Sequence, residues 1–152
     1  MSSYTRRIVV ALVVLVLAGV VPGMAQEQQF TKVDNPYQGE VPFTLGKPSA
    51  PNVEIAGVRW LAVELVPATN DLVSGRRIRT TVELTFENTM AGRAKVLVVL
   101  LFEDAEGNGL DRIELKQVSV PGGKKKVFRQ KVKLQADLLK STAKLYLFAE
   151  VK

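Results

Sequence analysis

The chain has 152 residues, with 21 Lys and Arg against 15 Asp and Glu, no histidine and no cysteine. These counts exclude disulfide staples, thiol chemistry, imidazole general bases and histidine metal centres. The net charge of +6 favours solubility and contact with anionic surfaces and leaves the fold open.

Residues 1–25 read as a secretory signal peptide. Arg6 and Arg7 give a basic start, residues 8–21 an unbroken apolar run, and Pro22-Gly23 a break. Gly23-Met24-Ala25 then places small residues at the two positions a signal peptidase reads, so cleavage after Ala25 is expected. The competing reading is a retained anchor, but a spanning helix needs roughly 18 to 20 apolar residues, more than this run supplies. No later stretch is long and apolar enough to span, and no cysteine follows the cleavage point to carry a lipid. The processed chain is therefore expected in the periplasm or outside the cell, and not as an integral membrane protein. Export argues against nucleic acid as a partner, and bulk charge alone is weak support for one.

Residues 26–52 read as a Pro/Gly-rich linker or strap. Pro36, Pro42, Pro48 and Pro51 recur with Gly39 and Gly46 between them, which excludes regular helix and disfavours a central strand. Phe30, Tyr37, Val41, Phe43 and Leu45 are too apolar for a wholly solvated tail, so part of the strap is expected to lie against the domain.

Residues 53–152 read as the domain proper. Residues 53–66 form a strand, or two pieces kinked near Gly57, closed by Pro67. Residues 77–88 alternate cleanly, with Ile78, Thr80, Val82, Leu84 and Phe86 on one face and Arg77, Arg79, Thr81, Glu83, Thr85 and Glu87 on the other. Residues 94–104 are the most hydrophobic strand. The turn Glu106-Gly107-Asn108-Gly109 leads into residues 110–120, with a bulge near Gln117-Val118. Pro121-Gly122-Gly123 turns the chain into the alternating residues 124–134. A loop or single helical turn over 135–141 precedes a final strand over 142–152. Six to seven short strands at a spacing of about ten residues, with no helical pattern between them, predict an all-β fold, an antiparallel β-sandwich.

Phe86-Glu87-Asn88-Thr89, the run Val96-x-Val98-x-Leu100-x-Phe102-Glu103-Asp104-Ala105-Glu106-Gly107, and Val120-Pro121-Gly122-Gly123 before the strand bearing Phe128 form an ordered set. This set resembles the FxLYD-type and fibronectin type III-like, immunoglobulin-like domains of bacterial envelope proteins. The resemblance covers about the middle half of the processed chain. It implies an immunoglobulin-like sandwich and a non-enzymatic module.

Three features are candidate sites. Asp104-x-Glu106-x-Asn108-Gly109 matches the start of a calcium loop, but its twelfth position is Leu115 where a bidentate Glu belongs. A solvated hairpin turn is the favoured reading, and no metal or cofactor is implied. Lys124, Lys125, Lys126, Arg129, Lys131 and Lys133 form a basic stretch without an acid. Such a row can meet anionic lipid or glycan, or can keep an edge strand from pairing with another chain, and edge protection is favoured. Leu97, Val99 and Leu101, with Tyr146 and Phe148, are apolar residues left over once the core faces are filled. They mark either a partner surface or a face roofed by the strap, and roofing is favoured. Trp60, the only tryptophan, is expected in the core.

The functional expectation is an exported binding or assembly module of the cell envelope, contacting a protein or an anionic surface. A small carboxylate-dependent hydrolase or carbohydrate-active protein and a structural spacer are the alternatives.

Overall fold

The computed structural model describes residues 28–152, so the signal-peptide reading of residues 1–25 lies outside the described residues. Two five-stranded sheets pack face to face, and the period-two patterning of the long strands explains why. Sheet A has the order β1 (Thr31–Val33), β3 (Val53–Ile55), β4 (Val58–Pro67), β5 (Arg77–Asn88) and β9 (Lys125–Gln135). Sheet B has the order β2 (Tyr37–Pro42), β10 (Lys144–Val151), β6 (Ala94–Glu103) and β7 (Gly109–Glu114), with β8 (Val118–Val120) also paired to β6. Every pairing is antiparallel except that of β1 with β3.

The inward residues of β5, Val82, Leu84 and Phe86, meet Val96, Val98, Leu100 and Phe102 of β6 and Leu145, Leu147 and Ala149 of β10 in one buried cluster. Trp60 is fully buried beside Phe86, with ring centroids 5.3 Å apart, and its indole N–H donates to the Ala62 carbonyl at 3.0 Å. That bond satisfies the one polar atom the tryptophan brings inside. The helix α1 (Ala136–Ser141) closes one end, burying Ala136, Leu138 and Leu139.

Among the described residues ten strands replace the six or seven expected, for three local reasons. Residues 53–67 form a hairpin, because Ala56 and Gly57 both take positive φ (44° and 79°) in a two-residue turn that pairs Ile55 with Val58. Residues 110–120 divide into β7 and β8, two successive partners of β6 separated by buried Leu115. The third reason is the strap, whose residues 31–33 and 37–42 are strands of the sandwich. The chain crosses from sheet A to sheet B through residues 34–36, and Asn35 acts there as a strand substitute. Its side chain donates to the Val151 carbonyl at 2.8 Å and accepts from the Val151 N–H at 3.0 Å.

Within β4 the core parity slips by one residue. The register passes from Trp60↔Phe86 to Ala62↔Thr85, so Leu61 is an extra residue and both Trp60 and Val63 face inward.

The two turns carrying much of the family resemblance meet at one end. Asn88 is fully buried, and its side-chain amide donates to the carbonyls of Gly92 (2.8 Å) and Val120 (3.0 Å). Its side-chain oxygen accepts from the Met90 N–H at 2.9 Å. Gly122 passes so close to Ala91 that a Cβ there would collide with the Ala91 carbonyl. An asparagine ending one strand and a Pro-Gly turn entering another are thus parts of one knot.

Candidate functional site

The solvent-facing side of sheet B holds the apolar residues that the core does not use. Register places Tyr146 opposite Leu101, Phe148 opposite Val99 and Glu150 opposite Leu97 across β10 and β6. Tyr146, Phe148, Leu97, Val99 and Leu101 are each half-buried. Val99, Leu101, Tyr146 and Phe148 line an open groove of about 290 Å³, with Arg112 of β7 along one side. The five residues singled out from sequence therefore lie together.

The strap does not roof them, which corrects the favoured expectation. β2 lies beside β10 in the plane of the sheet, pairing Gln38 with Phe148 and Glu40 with Tyr146. Its backbone donors and acceptors are drawn to the β10 edge, so the strap widens the sheet. At this rim the Tyr146 hydroxyl donates to the Gln38 side-chain oxygen at 2.7 Å, and Lys144 Nζ stands 3.7 Å from Glu40. Arg112 pairs with Glu114, and Lys152 with Glu150 at 3.5 Å. Glu103 continues the outward row of β6 beyond Leu101, opposite Lys144. It is 7 % exposed, and its Oε2 has no hydrogen-bond partner among the described residues.

Sheet A presents a different outer surface. The basic stretch divides: Lys125, Arg129, Lys131 and Lys133 share the outward parity of β9, Lys126 takes the opposite parity, and Lys124 sits in the turn before the strand. β9 is an edge strand, the position at which lysines block further pairing. Arg129 donates to Glu83 at 2.7 Å across the sheet, and Arg59 bridges Glu54 and Glu87 at 3.1 Å each. The hydrogen bonds to Glu54 and then Glu87 hold the Arg59 guanidinium above its ordinary pKa. The same group lies 5.0 Å from the centre of the Phe30 ring, seating the start of the strap at this corner.

The sequence resembling a calcium loop closes a hairpin. Asp104 accepts from the backbone N–H groups of Glu106 (3.0 Å) and Asn108 (2.8 Å) and from the Asn108 side chain at 2.9 Å. Those bonds, led by the Asn108 side chain, lower the Asp104 pKa. Among the described residues no three His, Cys, Asp or Glu side chains gather as metal ligands. Nor is any helix there long and apolar enough to cross a membrane.

Sequence reasoning missed Arg112 and Glu103 at the groove, and it left Arg77 and Arg79 unconnected to the basic stretch. The outward parity of both arginines was legible, but their pairing with β9 spans three intervening strands and left no local signal. No protein-family model matches the chain, and no curated protein matches it.

Proposed function

We propose that this protein is an exported, non-enzymatic binding module that docks a partner protein on the outer face of sheet B. The observation that carries the reading is the open groove of Val99, Leu101, Tyr146 and Phe148. An antiparallel sheet commonly keeps one face polar and solvated, so a contiguous apolar groove on that face favours a contact surface. Around the groove the charges balance, with Glu40, Glu103, Glu114 and Glu150 against Lys95, Arg112, Lys144 and Lys152. A partner segment with apolar side chains complements the groove, and a hydrogen-bond donor on it would satisfy the buried Glu103 Oε2, which has no partner among the described residues. The resemblance to envelope immunoglobulin-like domains and the signal-peptide reading of residues 1–25 support a site of action in the periplasm or outside the cell.

Site-specific photo-crosslinking in intact cells tests this reading. A crosslinker at position 101 is expected to capture a single protein that one at Thr85, on the outer face of sheet A, does not. Phe148→Asp is expected to abolish the capture while the thermal midpoint stays close to that of the parent. Equal capture from both faces, or capture unaffected by Phe148→Asp, would refute it. Mass spectrometry of the chain from the same cells tests export, with an N-terminus at Gln26 expected.

A further inference from the structure

The β5–β9 register builds a cluster that neither strand contains alone. Arg79 stands directly opposite Lys133, Thr81 opposite Lys131 and Arg77 opposite Gln135, all on the outer face of sheet A. Arg77, Arg79, Lys131 and Lys133 are all exposed, and none takes part in an ion pair among the described residues. The same two strands treat charge differently a few residues away, where Glu83 pairs with Arg129 and Glu87 stands opposite Lys125. Like charges placed directly across a sheet are destabilising, so the Arg79–Lys133 apposition is a cost the fold does not require.

Edge protection accounts for only part of the cluster. Lysines on β9 guard an edge, but Arg79 is bonded on both sides, with its carbonyl accepting from the Ala68 N–H at 2.8 Å just past the Pro67–Thr80 end of the β4 register, so its side chain guards no open edge. The array is also planar. Same-face residues repeat about every 6.8 Å along a strand and neighbouring strands lie about 4.8 Å apart, so the four cations cover a patch roughly 14 Å by 5 Å. Val66, 40 % exposed, lies in the same row as Thr81 and Lys131 and adds an apolar side chain beside the charges. A plane of cations with an exposed valine fits a plane of phosphates over hydrocarbon better than it fits a single enclosed anion.

We propose that Arg77, Arg79, Lys131 and Lys133 dock this face of sheet A onto a bilayer rich in anionic phospholipid. The proposal does not rest on the sheet B docking reading. The two faces lie on opposite sides of the sandwich, so the module can hold a membrane surface and a protein at the same time.

Co-sedimentation of the purified chain with vesicles tests the proposal, comparing equal parts phosphatidylglycerol and phosphatidylcholine with phosphatidylcholine alone. Binding to the anionic vesicles only is expected, with loss at about 0.5 M salt, where the screening length falls to a few ångströms. Arg79→Gln with Lys131→Gln is expected to weaken binding about 25-fold, since each basic residue at such a surface is worth roughly fivefold. Arg77→Gln with Lys133→Gln is the parallel pair should the first variant fold poorly. Lys124→Gln with Lys126→Gln removes the same net charge away from the face and is expected to leave binding unchanged. Equal weakening by the last pair would reduce the effect to bulk charge and overturn the proposal. So would binding to neutral vesicles unaffected by salt, or tighter retention on a soluble acidic polysaccharide than on the vesicles.

Discussion

On sheet A the outward positions of β5 are Arg, Thr and Glu, and those of β9 are charged or polar apart from Val127. On sheet B the central outward positions of β6 and β10 are Leu97, Val99, Leu101, Tyr146 and Phe148. Both sheets feed the same core through the same alternation, and both expose one face to water. The inner faces must be apolar for the sheets to pack, so their composition reports the fold. The outer faces are under no such demand, and their divergence is what the two docking proposals rest on. One face suits apolar protein contact and the other suits a charged plane.

Neighbouring residues of β6 give the most direct way to break that comparison. Leu100 is fully buried and Leu101 lies in the groove. Leu100→Ala is expected to cost about 2–5 kcal/mol, read by denaturant unfolding, because the packed core cannot close around the cavity. Leu101→Ala is expected to cost about 1 kcal/mol or less while weakening partner capture. Equal costs would mean that the outer face of sheet B is a second core and not a docking surface. Asn88→Ala comes next, at about 2–3 kcal/mol, since it strands the buried Val120 carbonyl and frees the Met90 and Gly92 turn. Because that knot belongs to both sheets, its loss is expected to lower stability without favouring either outer face, so partner capture by the folded fraction is unchanged.

The alternation of β5, β6, β9 and β10 made the sandwich legible, because a half-buried strand repeats every two residues whatever its partners. Three things were not legible, each for a physical reason. Ala56 at positive φ gives no signal, since alanine seldom adopts it, and Gly57 alone looked like a kink where a hairpin turn stands. The slip at Leu61 hides in a run where Trp60, Leu61, Ala62 and Val63 are all apolar, so parity cannot be tracked through it. The strap's prolines correctly argued against a central strand. They did not reveal that β1 and β2 would fill two sheet edges, because edge pairing depends on which strands are left with open hydrogen bonds. The groove residues were found as surplus to the core, whereas the basic cluster on sheet A needed the β5–β9 register, a contact between segments about fifty residues apart.

A smaller effect sharpens the charged side of the comparison. Arg79→Glu places a carboxylate opposite Lys133, converting a like pair to an opposite one as at Glu83–Arg129. It is expected to raise stability by about 0.5 kcal/mol in chemical denaturation while abolishing binding to anionic vesicles. A variant that gains stability as it loses a surface activity separates function from fold more cleanly than one that loses both. A fall in stability would mean that Arg79 is compensated in the native fold and that the cluster is structural.

The smallest expected effect is in acid, and it touches both sheets through their turns. Asp104 closes the β6–β7 hairpin of sheet B, and Asp137 in α1 accepts from the Gly75 N–H at 2.8 Å beside sheet A. Both carboxyls titrate below the ordinary aspartate range, Asp104 chiefly through the Asn108 side chain and Asp137 chiefly through the Gly75 N–H. A carboxyl whose pKa is lower folded than unfolded binds its proton first in the unfolded chain. Its stabilisation is complete above the unfolded value near 3.9 and is lost as pH falls through the lower folded value. The thermal midpoint is therefore expected to decline as pH drops below about 4, where unfolded aspartates begin to take up protons. Asp104→Asn and Asp137→Asn should each lower the neutral-pH midpoint slightly and flatten that decline. If only one flattens it, the acid response belongs to the turns of one sheet. If neither does, the acid response arises outside these two turns.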